Sequence, residues 1–233
     1  MDWSRHCAAV IPCFNEAAGI IEVVTRVRLR LPTAIVVDDG STDDTAPKAA
    51  AAGGEVLRHP VNLGKGAALR TGFEHARVRG FAWALTLDGD GQHSPEDIPA
   101  FFACAEKTGA DLVIGDRLGS SEKMPKLRRS VNRWMTKRLS NLCGRPLADS
   151  QCGFRLVRLS KWAELPLRTN HFEVESELLV EFVRAGRVVE FVPIQMIYHA
   201  SGSRINPVVD TWRWLRWWFA QRNVPDSSQE RRS

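Results

Sequence analysis

The sequence predicts an α/β fold, a mostly parallel sheet with helices on both faces. Three observations predict it. Short apolar runs alternate with segments of helical spacing as far as Gly115. Each intervening segment is long enough for the crossover that parallel strands require. The polar and glycine-rich segments follow the apolar runs directly, at the strand ends where such sheets bind ligands.

The elements follow in order. Residues 7–13 (CAAVIPC) form the first apolar run. Ile20, Ile21, Val23, Val24, Val27 and Leu31 then recur at helical spacing through 16–31. Thr33–Asp38 is a β-branched run ended by Asp39-Gly40-Ser41, and Asp43 or Asp44 caps a short helix that ends at Gly53-Gly54. Strand 55–58 precedes a helix over 65–79 closed by Gly80. Phe81–Leu87 is the fourth strand. Ser94-Pro95-Glu96-Asp97 opens a helix with a capping serine and a first-turn proline. Asp111–Gly115 is the fifth strand.

The second half reads differently. A basic amphipathic helix covers 125–143, followed by a strand at 153–158 and a helix at 171–185 ending at Gly186. Two short strands are expected at 188–192 and 194–198. A Gly/Ser loop (200–203) leads to a tryptophan-rich helix at 207–221. The expected organisation is a catalytic unit over 1–205, a Trp/Arg helix over 206–222 and a disordered tail over 223–233.

Composition narrows the function classes. Hydrophobic residues make up 44% and charged residues 25% of 233, which is globular rather than disordered. No apolar run reaches the roughly 18 residues of a membrane span. The start lacks a signal-peptide pattern. The five cysteines show no C-x-x-C spacing, so a zinc knuckle is unsupported and a reduced, cytoplasmic protein is expected. The net charge of +5 is too small to announce a nucleic-acid binder, and no nucleic-acid module is recognisable.

The sharpest motif is Asp88-Gly89-Asp90-Gly91-Gln92, directly after the fourth apolar run. Two carboxylates and an amide at alternate positions can converge on a hard cation, Mg²⁺ or Mn²⁺. A solvated turn is the plainer reading. An EF-hand fails, because His93 and Pro99 stand where glycine and glutamate belong. The acidic pair Asp38-Asp39 can accept hydrogen bonds from ribose or base. Asn62-Leu63-Gly64-Lys65-Gly66 fits neither a Rossmann fingerprint nor a Walker loop. Its glycines permit a tight helix entry, and Lys65 either reaches a phosphate or faces solvent.

Two further features concern surfaces. Residues 116–145 hold Arg117, Lys123, Lys126, Arg128, Arg129, Arg133, Lys137, Arg138 and Arg145 against Asp116 and Glu122. Arginine suits phosphate contacts, although a solvated helix face explains most of the run. In the last helix, Val208, Trp212, Leu215 and Phe219 form a stripe that Trp214, Trp217 and Trp218 widen, beside Arg213 and Arg216. Such a helix suits a membrane interface, or else docks on the protein's own core.

Together these residues resemble family 2 glycosyltransferases of the GT-A fold, with its Rossmann-like sheet, and within them the dolichyl- and polyprenyl-phosphate sugar synthases. The resemblance covers about 7–205. Ile11-Pro12-Cys13-Phe14-Asn15-Glu16 is similar to the family's opening motif, which implies that Pro12, Phe14 and Glu16 meet the nucleoside. Val37 and Asp39 match positions that hold base and ribose. Asp88, Asp90 and Gln92 match the metal-binding D-x-D-x-Q, with Gly89 at the diphosphate. Gly115-Asp116-Arg117 and Pro125-Lys126-Leu127-Arg128 resemble elements whose arginines hold the acceptor phosphate. Asp149-x-x-x-Gly153-Phe154-Arg155 resembles a further family segment. Ser201-Gly202-Ser203-Arg204 stands where the branch carries a phosphate-covering G-E-S-K loop, with Arg204 for its lysine.

The resemblance implies a metal-dependent inverting transfer of sugar from a nucleotide diphosphate-sugar, of GDP-mannose or UDP-glucose type, to a polyprenyl phosphate. Asp90, Arg117 and Arg128 would be catalytic, and the protein would sit peripherally at the cytoplasmic membrane face. A phosphate acceptor is already anionic and needs no base. A hydroxyl acceptor is the alternative, with Asp149 as its base. An inactive nucleotide-sugar-binding module at the membrane is the non-enzymatic alternative.

Overall fold

The computed structural model describes residues 1–119, 124–197 and 207–222. Arg204, the 201–204 loop and the 223–233 tail lie outside the described residues.

The first half alternates as the patterning requires. Strand β1 (Cys7–Cys13) is buried at every residue, so it reads as one apolar run rather than an alternation. Helix α1 is the short turn Trp3–His6 before it, which the sequence reading missed. Then come α2 (Ile20–Arg28), β2 (Ala34–Asp38), α3 (Thr45–Ala51), β3 (Glu55–Arg58), α4 (Lys65–Val78) and β4 (Trp83–Thr86). Helix α2 turns Ile20, Val23, Val24 and Val27 to the sheet, and each fully buried aliphatic of this kind contributes about 1.5–3 kcal/mol.

The second half comprises α5 (Ile98–Thr108), β5 (Leu112–Asp116), α6 (Lys126–Cys143), β6 (Arg155–Arg158), α7 (Leu159–Trp162), α8 (Val174–Arg184), β7 (Val189–Pro193) and α9 (Pro207–Arg222). The strands form one sheet in the order β3-β2-β1-β4-β6-β5-β7. Strand β6 runs antiparallel between β4 and β5, and the other pairings are parallel.

Two expectations change. Of the strand expected at 194–198, the described residues 194–197 form no ladder: Met196 makes a single bridge with His93. The neighbouring N–H groups go elsewhere, Gln195 to the Asp97 carboxylate (2.9 Å) and Ile197 to the Gln92 carbonyl (2.9 Å). The stripe expected to cover the last helix also splits. Trp212 and Phe219 are exposed, whereas Trp214, Trp217 and Trp218 are buried. Trp214 stacks on Trp218, meets Trp134 of α6 and donates its indole N–H to Ser176 Oγ at 2.8 Å. Helix α9 therefore docks on its own protein by one face and leaves the other uncovered.

Candidate active site

The carboxyl ends of β1, β2 and β4 open on one cavity of about 740 Å³. That is the size class of small-molecule sites. Pro12, Phe14, Glu16, Asp39, Asp88, Gly89, Asp90, Gln92 and Arg128 all line it.

Local chemistry explains how the loops reach this point. Asn15 adopts a positive φ of 55°, and its side-chain oxygen accepts from the Thr42 N–H at 2.8 Å. In return Ser41 Oγ accepts from the Asn15 N–H and Thr45 Oγ1 from the Glu16 N–H. The loops after β1 and β2 are thereby laced together. Asp39 accepts from the N–H groups of Leu63 (3.0 Å) and Gly64 (2.8 Å), and lies 2.7 Å from His59 Nδ1. Its carboxylate holds the next loop in place, which the sequence did not reveal.

Gly64 and Gly66 do more than permit a tight turn. Gly64 has φ of 97°, and a Cβ there would stand 2.3 Å from the Asn170 carbonyl. Gly66 donates its N–H to the same carbonyl at 2.7 Å. The two glycines let the segment before α8 close onto the start of α4. Lys65, between them, is part-buried, its side chain 13% exposed, rather than fully solvated. Its Nζ lies 2.5 Å from Asp88 Oδ1 and 2.5 Å from Glu175 Oε1.

Burial pushes the Asp88 carboxyl up, but the adjacent Lys65 ammonium outweighs it and holds the group below the usual carboxylate range. Asp90 goes the other way: burial raises it, and the Asp88 charge raises it further. Burial lowers His93 to about 4, so it is neutral at pH 7. Its Nδ1 accepts from the Asp88 N–H at 3.3 Å, which fixes the turn carrying the carboxylates.

These donors fit a hard divalent ion. The chain brings two carboxylates and an amide to one wall, and Asp90 is a part-buried anion, raised by burial and then by the charge of Asp88. A dication relieves that repulsion. Among the described residues no cluster of three or more His, Cys, Asp or Glu could hold an ion alone. Magnesium commonly takes one or two carboxylates and completes its shell with substrate phosphates and water.

Three sequence assignments sit elsewhere. Val37 is fully buried and does not line the cavity. Its side chain packs under α4, where Gly72 leaves it room. Arg117 is 4% exposed and lies behind the wall, donating from Nε to Asp149 Oδ2 (2.7 Å) and from Nη2 to Oδ1 (3.0 Å). Asp149 is itself fully buried. Burial raises its carboxyl, but Arg117 overcomes this and holds it low. Asp149 does not line the cavity.

The sequence reading also missed wall residues. Glu175, Phe172, Asp210 and Arg213 all lie at or beside the cavity. Arg213 of α9 pairs with Asp210 at 3.5 Å, so the last helix contributes to the site.

Comparison with known proteins gives the family and the fold. Residues 8–165 match glycosyl transferase family 2. The chain belongs to that family. It is 27% identical over 208 residues to the undecaprenyl-phosphate mannosyltransferase of Micrococcus luteus, covering 83% of this chain and 84% of that one. It is 29% identical over 217 residues to the UDP-N-acetylglucosamine–dolichyl-phosphate N-acetylglucosaminyltransferase of Methanococcus voltae, covering 81% and 84%. In fold it matches glucosyl-3-phosphoglycerate synthase from Mycobacterium tuberculosis, solved with Mn²⁺, UDP-glucose and phosphoglyceric acid. The TM-score is 0.74 at 22% identity, over 95% of this chain and 81% of that one. As a family 2 glycosyltransferase with a GT-A-like fold, the chain is an enzyme of sugar transfer related to polyprenyl-phosphate sugar transferases.

Proposed function

We propose that this enzyme transfers a sugar, with inversion, from a nucleotide diphosphate-sugar of GDP-mannose or UDP-glucose type to a polyprenyl phosphate. The observation that carries the acceptor assignment is the Arg117–Asp149 pair. The carboxylate that a hydroxyl acceptor would need as base is fully buried and held by the Arg117 guanidinium and the Gln151 N–H. A phosphate oxygen is ionised near neutral pH and needs only charge clamping and alignment. The relatives named for undecaprenyl and dolichyl phosphate support the same acceptor class.

Pro12, Phe14 and Glu16 line the nucleoside end, while Asp39 positions the loop that closes it. Asp88, Asp90 and Gln92 would hold Mg²⁺ or Mn²⁺, which supplies charge neutralisation for the departing diphosphate. Gly89 keeps the turn close to β1, because a Cβ there would stand 3.0 Å from Cys13 Cβ. Arg128, on the cavity wall, clamps the acceptor phosphate. Arg117 adds positive field from behind, and Arg204 belongs to the phosphate-covering loop by its place in the sequence.

No helix among the described residues is long and apolar enough to cross a membrane. The acceptor is reached from the bilayer surface, at its cytoplasmic face. Helix α6 carries Lys126, Arg128, Arg129, Arg133, Lys137 and Arg138 with no acidic residue, and exposes Leu127 and Trp134. Beside it α9 exposes Trp212 and Phe219. Cations near an anionic leaflet contribute about 1 kcal/mol each.

The deciding experiment incubates the full chain with Mn²⁺, labelled GDP- and UDP-sugars and a short-chain polyprenyl phosphate. A lipid-linked product that Asp90→Asn abolishes is expected. Product on hydroxyl acceptors alone would overturn the acceptor assignment.

A further inference from the structure

The Asp88 carboxylate faces the cavity already holding a cation from its own chain. Lys65 is delivered by a backbone fixed on both sides, with the Gly64 N–H on Asp39 (2.8 Å) and the Gly66 N–H on Asn170 (2.7 Å). Glu175 of α8 seats the ammonium from the far side at 2.5 Å. The Phe172 ring lies 5.8 Å from Nζ. Gly153 supplies the space, because a Cβ there would stand 2.9 Å from both Nζ and Asp88 Oδ1. Three segments besides its own converge on this one ammonium, and nothing in the donor chemistry above accounts for that.

An ammonium at hydrogen-bond distance from a ligand carboxylate repels an incoming dication, the more so in a part-buried site. We propose that Lys65, seated by Glu175, is a resident counter-ion that must release Asp88 before a divalent metal binds, so that this pair sets the metal affinity of the site. Lys65 and Glu175 are then positioning residues. The apparent dissociation constant equals the intrinsic one divided by the fraction of molecules in which Lys65 has let go.

This inference rests on the metal-donor reading of Asp88, Asp90 and Gln92, and the test separates the two. Mn²⁺ binding to the full chain is measured by titration calorimetry, without nucleotide, for wild type and Lys65→Met/Glu175→Gln. The double variant removes one cation and one anion, so the net charge is unchanged and Asp88 is left as the free donor under test. We expect it to bind Mn²⁺ about tenfold more tightly, and Asp88→Asn in that background to erase the gain. Equal or weaker binding by the folded double variant overturns the proposal. If that variant does not fold, acetic anhydride labelling of wild type decides. Labelling of Lys65, read by peptide mass spectrometry, should rise along the Mn²⁺ binding curve, and flat labelling overturns the proposal. Wild type that binds no Mn²⁺ even with UDP overturns the donor reading and this inference together.

Discussion

Arg117 and Asp149 face each other through two parallel hydrogen bonds, 2.7 and 3.0 Å, with both side chains almost wholly buried. A third bond runs from the Arg117 N–H to the same carboxylate at 3.3 Å. The pair ties the end of β5 to the loop before β6. Breaking a buried pair leaves the other charge without compensation, at about 3–5 kcal/mol. Asp149→Asn should therefore lower the melting temperature by about 10 °C, since each kcal/mol moves a domain of this size by about 2–4 °C. Arg117→Met/Asp149→Leu should recover much of that loss, because apolar replacement of both partners is often neutral. Differential scanning calorimetry of the three variants reads the cycle. A catalytic base would instead give an Asp149→Asn protein of unchanged stability.

The same pair sets an acid limit. The folded-state pKa of Asp149 is depressed by Arg117. Its contribution is thus fully present above the ordinary Asp value, about 3.9, and is lost as pH falls through the lower folded value. Wild-type stability should fall steeply below about pH 4, and Asp149→Asn should show a shallower slope there. Urea midpoints across that window give the comparison, and parallel slopes would remove the pair from the acid response.

The contrast between Asp88 and Glu175 explains what the sequence could reveal. Asp88, Asp90 and Gln92 lie in one turn after one apolar run, so spacing alone brings their oxygens together. Glu175 meets Lys65 across 110 positions, through the packing of α8 against α4, and no local pattern encodes that contact. Its sequence trace was three polar residues, Glu175-Ser176-Glu177, on a helix that buries all of them. The succession of strands and helices was legible up to Gly115 because each element has its own local period, but their order in the sheet was not. The antiparallel insertion of β6 between β4 and β5 was not legible either, since long-range pairing decides it. For α9 the period was right, but apolar residues cover most of its circumference. Periodicity then says that a face is buried without saying which one.

Gly153 packs directly against the Lys65–Asp88 pair. An added methyl would press on the Asp88 carboxylate and the Lys65 ammonium at 2.9 Å. Gly153→Ala should leave the fold intact and move Asp88 by a few tenths of an ångström. Misplacement of this kind costs about 10²-fold in rate when it reaches the reacting groups. Steady-state kinetics should show the fall in kcat/KM, while the melting temperature stays within a few degrees. Full activity would mean that the turn absorbs the methyl and that the Lys65–Asp88 contact does not constrain turnover.

The tryptophans of α9 divide into two sets that mutation should separate. Trp214 is buried, hydrogen-bonded to Ser176 and stacked on Trp218, while Arg138 sits 5.4 and 5.6 Å from the Trp134 and Trp218 rings. Trp214→Phe removes the indole donor and part of the ring contact, so it should cost about 1–3 kcal/mol. Trp212 and Phe219 lie seven residues apart on the uncovered face, with Arg216 placed over the Trp212 ring at 5.1 Å. Trp212→Ala/Phe219→Ala should barely change the melting temperature, as surface substitutions rarely do. The same double variant should lose flotation with vesicles containing anionic lipid, because aromatic side chains at the headgroup level and nearby cations act together. Vesicle binding equal to wild type would assign the exposed face no part in reaching the bilayer, and the acceptor would then have to be drawn in by the α6 cations alone.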